Sequence, residues 1–224
     1  MLLHGYMSQK ESFFYQTESL CKGFKVTAPD FAGFGKSQAP STAFSVSDYA
    51  EWTYTLCKKL KVKNPHVVAH SFGARVAIKL LSSFNFSAKK IVLVGGAGVV
   101  KLRSSQYIRR VNAYKRIKKI FPKFAERHFG SEEYKTLSPI MRESYKKIVN
   151  EDLQEEAKKI SNETLLIYGE GDTVTPYLEE GLIFKGCIKN SRLLKMQGTH
   201  FCFCEYPEVF NNLILQFLND NLTE

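Results

Sequence analysis

No apolar run in these 224 residues approaches the length needed to cross a bilayer, which argues against a helical membrane span. Internal repeats and low-complexity tracts are missing, and so is any obvious linker, so the chain reads as one domain or one domain carrying an insertion. Cysteine is scarce and odd in number. Cys21, Cys57, Cys187, Cys202 and Cys204 match no zinc spacing, and a reduced, cytoplasmic compartment fits them best. The opening Met1-Leu2-Leu3-His4-Gly5 is too short for a secretory leader and carries no basic residue before the apolar pair. His200, Cys202 and Cys204 form one His-x-Cys-x-Cys cluster with no second ligand group beside it. The two thiols are therefore read as core or loop residues, and neither a metal nor a cofactor is expected.

What the chain does have is a steady alternation of short apolar runs and amphipathic segments, the pattern of a mostly parallel sheet flanked by helices. Candidate strands are Leu2–Leu3, Phe24–Ala28, His66–Ala69, Lys90–Val94, Thr164–Tyr168 and Arg192–Met196. Several are unbroken β-branched and leucine runs, as expected where both faces of a sheet are buried. One helix has a clear start: Ser45 can cap, Asp48 stands at the third helical position, and Phe44 can staple to Tyr49. Behind that start, Tyr49, Trp52, Leu56, Cys57 and Leu60 form one apolar stripe. The last helix begins near Pro207, with Val209, Phe210, Leu213, Ile214, Phe217 and Leu218 as its buried face.

Between Val99 and Ile160 the strand signals stop. Helices are expected over Ser104–Phe121, Pro139–Val149 and Glu151–Ile160. An all-helical insertion between two strands reads as a cap over a site. The expected division is a core of residues 1–98 and 161–224 with a helical cap of residues 99–160.

The chemistry is concentrated in three segments. In Val67-Val68-Ala69-His70-Ser71-Phe72-Gly73, a strand runs into a serine with small residues two positions to either side, and a helical run follows. That is the strand–turn–helix elbow that exposes a nucleophilic hydroxyl. Leu165 to Asp172 is a strand ending in an acid, and Gly198-Thr199-His200 places a histidine after another strand. Ser71, Asp172 and His200 thus read as nucleophile, orienting acid and general base, because a serine hydroxyl is a poor nucleophile without an adjacent base. No acid follows the Lys90–Val94 strand to compete with Asp172. His4 and His70 read as structural or as supports of the reacting side chains rather than as proton carriers, Asp30 as tying down its own turn, and His66 and His128 carry no signal.

With these residues in view, the chain resembles the serine hydrolases of the α/β-hydrolase superfamily, in particular the capped branch of esterases and carbon–carbon bond hydrolases. The resemblance runs from Leu2 to about Leu218. His4-Gly5 matches the family's oxyanion turn, and Asp30-Phe31-Ala32-Gly33-Phe34-Gly35-Lys36-Ser37 its glycine-rich turn. Gly169-Glu170-Gly171-Asp172 with Pro176 matches the acid turn, and Gly198-Thr199-His200 the histidine turn. Alanine stands at 69 where the pattern usually has glycine, and the family carries two more strands before the first motif. The resemblance implies an oxyanion hole made by the backbone amides of Tyr6 and Phe72. It implies an acyl-enzyme route on a small ester, thioester or related acyl substrate. A carbon–carbon hydrolase or lyase acting on an acidic metabolite is the alternative, and a non-catalytic binding protein on the same scaffold is the alternative of another class. Serine at 71 excludes the alkyl-enzyme mechanism of relatives that carry a carboxylate there.

The net charge is +10, and much of it lies between Lys101 and Arg127, where ten bases face the single acid Glu126. Ile108, Val111, Tyr114, Ile117, Phe121 and Phe124 recur there at helical spacing. The plainest reading is an apolar stripe over the pocket with solvated lysines outside it. A second is attraction of an anionic substrate or contact with an anionic surface. No specific nucleic acid is expected, since no recognition motif accompanies the charge. Arg75, one turn after Ser71, resembles the arginine found there in members that act on carboxylate-bearing substrates, and pairing with a nearby acid is the alternative.

Overall fold

Four apolar runs with little polar interruption settle side by side. The computed structural model describes residues 1–100 and 136–220. Its strands are β1 (Leu2–Leu3), β2 (Val67–His70), β3 (Ile91–Val94), β4 (Thr164–Gly169) and β5 (Ser191–Met196), all parallel and in the spatial order β1-β2-β3-β4-β5. Every residue of β1 to β4 is buried, which explains why these strands read as continuous apolar runs rather than alternating ones. The two faces still separate with period two. Leu3, Val67, Ala69, Ile91, Leu93, Leu166 and Tyr168 enter one core, while Leu2, Val68, Val92, Val94, Leu165 and Ile167 enter the other.

The described helices are α1 (Phe14–Leu20), α2 (Val46–Lys59), α3 (Phe72–Ser83), α4 (Pro139–Val149), α5 (Gln154–Ala157), α6 (Leu182–Cys187), α7 (Cys202–Glu205) and α8 (Pro207–Leu218), with a 3-10 turn at Lys10–Phe13 and a π-helical turn at Tyr177–Gly181. α2, α3, α4 and α6 supply the first core, and α1 and α8 the second. The expected capping box is present: Asp48 N donates to Ser45 Oγ at 3.2 Å, and Ser45 N to Asp48 Oδ2 at 2.6 Å. The Phe44 and Tyr49 rings meet at 5.2 Å.

Four expectations need correction. Phe24–Ala28 is not a strand. Leu2 N reaches Thr27 O at 2.9 Å, but β1 is only two residues long and offers this outer segment too short a ladder to pair with. The helix expected over Glu151–Ile160 is reduced to α5. Leu153 N is drawn to Gly98 O at 2.8 Å, and Asp152 Oδ1 accepts the Gln154 amide at 3.0 Å, so the chain turns before it coils. Val209, expected in the core, is exposed, and so is Leu60. The helix expected over Ser104–Phe121 and the basic stretch Lys101 to Arg127 lie outside the described residues. Of the proposed cap, α4 packs on the turn after residue 30, where a Cβ on Gly33 would lie 2.5 Å from Met141 Sδ, and it is tied to the segments on either side: Tyr6 Oη donates to Met141 O at 2.9 Å and Phe44 N to Ser144 Oγ at 2.9 Å.

Helix α3 crosses the end of β1 at very short range. A Cβ added at Gly73 would lie 2.2 Å from Leu3 O, which is backbone and has nowhere to go. Gly73→Ala is therefore expected to destabilise the fold by about 1–3 kcal/mol. Urea unfolding of the two proteins measures it, and an unchanged midpoint contradicts the close crossing.

Candidate active site

Ser71 sits between β2 and α3 at φ 51°, ψ −110°, a conformation that costs a non-glycine residue on the order of 1–3 kcal/mol. The surroundings hold it there: Ser71 N donates to Val94 O on the neighbouring strand at 3.0 Å, and Ala74 N to Ser71 O at 3.0 Å. The Ser71 hydroxyl does not cap α3. Phe72 opens that helix, where first-turn amides have no partner within the helix.

Two loops at the same end of the sheet bring in Asp172 and His200. β4 runs out into the turn carrying Asp172, and β5 into the turn carrying His200. Glu170 N to Met196 O at 2.8 Å and Gly171 N to Gly198 O at 2.9 Å tie the turns together. Asp172 and His200 are 5% and 8% exposed. His200 Nδ1 lies 2.8 Å from Asp172 Oδ2. Asp172 Oδ1 accepts the amides of Val174 at 2.8 Å and Thr175 at 2.9 Å, and Thr175 Oγ1 lies 2.8 Å from Oδ2. Burial alone would raise the Asp172 carboxyl. The hydrogen bonds from His200 and Thr175, with the attraction of His200, outweigh it and hold the carboxyl below its ordinary range. An ionised Asp172 accepts the Nδ1 proton, which leaves Nε2 as the accepting nitrogen of the neutral ring.

Gly95, at φ 49° just past β3, makes room for this pair. A Cβ there would stand 3.0 Å from His200 Nδ1 and 3.3 Å from Asp172 Oδ2.

His200 also touches the elbow. Its carbonyl oxygen lies 2.9 Å from His70 Nε2, and the two imidazoles are 4.7 Å apart between centroids. Ser71 is the next residue in the chain. Among the described residues no hydrogen bond joins the Ser71 hydroxyl to His200. The structure thus pairs His200 with Asp172 and ties the His200 backbone to the residue before Ser71, and contacts between a hydroxyl and an imidazole commonly tighten only when substrate is bound.

The turn proposed for the oxyanion, His4-Gly5-Tyr6, arrives from β1. A Cβ on Gly5 would lie 3.6 Å from Ser71 Cβ, so this turn passes directly against Ser71. Both nitrogens of His4 are engaged: Nδ1 lies 2.7 Å from Gly5 O, and Nε2 accepts Phe31 N at 3.0 Å. The Gly5–Tyr6 peptide is planar and trans, so anchoring its carbonyl on His4 turns the Tyr6 N–H to the opposite side. A cavity of about 560 Å³ is lined by Met7, Ser8, Gln9, Phe34 and Leu137 among others, and Ser71, Asp172 and His200 are not part of its wall.

Asp30 ties this floor together. It accepts Lys10 N at 2.7 Å, Lys10 Nζ at 2.9 Å and Lys36 N at 3.0 Å. Burial alone would raise its carboxyl, but these donors win and hold it at about 2. Its unfolded value is about 3.9. The folded value is the lower one, so the stability Asp30 contributes is complete above about pH 4 and is lost as pH falls towards 2. Asp30→Asn is expected to lower the urea midpoint at pH 7, with the gap to wild type closing as the pH approaches 2. A gap that stays constant with pH contradicts this role.

Arg75 does not serve the site. Its Nη1 donates to Ile148 O at 3.0 Å and Glu151 O at 2.7 Å, joining α3 to the end of α4. Its hydrogen bonds go to backbone carbonyls, and the carboxylates of Glu180, Glu151 and Asp152 attract its charge. Cys202 and Cys204 pack beneath the histidine turn, and burial pushes the Cys202 thiol up to about 12. Thr175 and Gly95 escaped the sequence reading. Thr175 follows the acid by three residues and looks like any turn hydroxyl, and the only sign of Gly95 is a Gly-Gly pair directly after a strand.

A family model described as the alpha/beta hydrolase fold matches residues 1–140. The chain is 25% identical over 244 residues to the AB hydrolase superfamily protein YisY of Bacillus subtilis (strain 168), spanning 98% of this chain and 91% of that one. It is 26% identical over 220 residues to a 2-hydroxymuconate semialdehyde hydrolase of Pseudomonas putida, spanning 87% and 76%. Among solved structures, an esterase from Exiguobacterium antarcticum (EaEST) superposes with a TM-score of 0.78 at 23% identity, covering 97% of this chain and 90% of that one.

Proposed function

The chain belongs to the α/β-hydrolase family, and from that premise we propose that it is a serine hydrolase cleaving a small ester, thioester or related acyl compound through an acyl-enzyme. The observation that carries the reading is the His200–Asp172 hydrogen bond of 2.8 Å formed beside a serine held at positive φ. In the proposed sequence Ser71 Oγ attacks the acyl carbon while His200 Nε2 takes its proton. Asp172 keeps the Nδ1 proton in place and stabilises the imidazolium. The amides of Phe72 and Tyr6 receive the negative oxygen, each worth on the order of 100- to 1,000-fold in rate. Collapse returns the proton to the leaving group, and water then repeats the cycle to free the acid.

A second reading, carbon–carbon bond hydrolysis, draws support from the likeness to the 2-hydroxymuconate semialdehyde hydrolase. Hydrolysis of aryl esters of increasing acyl length, run beside a panel of vinylogous diketones, separates the two. Ester turnover far above diketone turnover is expected, and the reverse overturns the ester assignment. Attraction of anionic substrates by the basic stretch after Lys101 would show as a salt dependence found for anionic esters and missing for neutral ones. We assign a reducing, cytoplasmic setting on the five free thiols. Among the described residues no helix is long and apolar enough to cross a membrane.

A further inference from the structure

We infer that His70 is a positioning residue: its Nε2–H holds the backbone carbonyl of His200, so that the residue before the nucleophile also fixes the base. This rests on the triad reading above and goes beyond it. The His70 ring is 1% exposed and lies among the rings of His200 at 4.7 Å, Phe203 at 4.7 Å and Phe201 at 5.3 Å. A carbonyl oxygen only accepts, so the ring nitrogen 2.9 Å from it must carry the proton. Burial, followed by the charge of His200, pushes the His70 ring down to about 3, and it is neutral under all ordinary conditions. The other nitrogen, Nδ1, is then a bare acceptor. It is buried against Gly5, where a Cβ would lie 2.9 Å from it, and it has no hydrogen-bond partner among the described residues.

That unsatisfied nitrogen makes the choice of residue informative. Packing alone among three aromatic neighbours would be served as well by phenylalanine or leucine, without the cost of an unpaired buried acceptor. The ring's one satisfied polar atom is the Nε2–H on His200. This bond joins the end of β2 to the histidine turn across 130 residues of chain. Asp172 orients the His200 ring, His70 holds the His200 backbone, and Ser71 is covalently next to His70. Elbow and base therefore move as one piece.

The test compares His70→Phe, which keeps an apolar ring and loses the donor, with His70→Gln, whose amide nitrogen can replace Nε2–H. Should the larger ring prevent folding beside Gly5, His70→Leu takes its place. For the folded donor-less variant kcat on an aryl ester is expected to fall on the order of 10- to 100-fold with KM within about twofold, as a small displacement of a catalytic group would give. His70→Gln is expected to recover most of that loss. A donor-less variant with wild-type kcat overturns the proposal, and so does a glutamine variant as slow as the donor-less one. Fluorophosphonate labelling of the wild type runs alongside. If the wild type does not label, the triad reading itself has failed. If it labels and the His70 variants label equally fast, only the positioning role has failed.

Discussion

Ser71→Ala is expected to lower turnover of an activated aryl ester by on the order of 10⁶-fold, while leaving the protein folded. The size of the effect follows from what remains. His200, Asp172 and the two amides persist, but no oxygen stands where the acyl carbon must be attacked, and a water would have to be positioned there instead. Stability should change little. Alanine at position 71 inherits the same positive φ, and the backbone bonds that hold it, Ser71 N to Val94 O and Ala74 N to Ser71 O, need no hydroxyl. The measurement is kcat on a short-chain aryl ester together with urea unfolding. Loss smaller than about tenfold in a folded variant would show that the hydrolysis uses another group.

Asp172→Asn is expected to lower kcat by on the order of 10⁴-fold, and for a different reason. The amide oxygen of the new side chain can still accept the Val174 and Thr175 amides, so the turn survives. Its NH₂ then faces His200 Nδ1 as a donor in place of an acceptor. The imidazole must shift its proton to Nε2, the nitrogen that has to be bare to take the proton from Ser71. The ring stays in place in the wrong tautomer, without a carboxylate to stabilise its charged form. Near-normal kcat in the folded variant would remove Asp172 from the mechanism and point to Thr175, whose Oγ1 lies 3.2 Å from His200 Nδ1, as the orienting group.

The parts of this architecture that were legible beforehand are those set by local chemistry. A serine at positive φ needs small neighbours, and Ala69 and Gly73 are visible as such without any coordinates. Strands buried on both faces must be apolar throughout, which marks Val67 to Ala69 and Ile91 to Val94. Ser45 and Asp48 satisfy each other three residues apart and announce the start of α2. What stayed hidden depends on distant partners. Whether Phe24–Ala28 becomes a strand is decided by the length of β1 beside it, not by its own residues. His70 reads only as a structural or supporting histidine, with no partner in sight, until His200 O arrives 130 positions later. Gly95 is an ordinary post-strand glycine until two turns from the far half of the chain close over it. Arg75 shows the same limit in reverse: its place one turn after Ser71 left a substrate contact and pairing with an acid both open, whereas its guanidinium hydrogen-bonds to the carbonyls of Ile148 and Glu151.

The most direct measurement is to treat the protein with a fluorophosphonate, digest it, and locate the adduct by peptide mass spectrometry. The account predicts a stoichiometric adduct on the peptide that carries Ser71, abolished by Ser71→Ala and strongly slowed by His200→Ala. A folded protein that takes up no probe, or one whose adduct sits elsewhere and persists in Ser71→Ala, would contradict it.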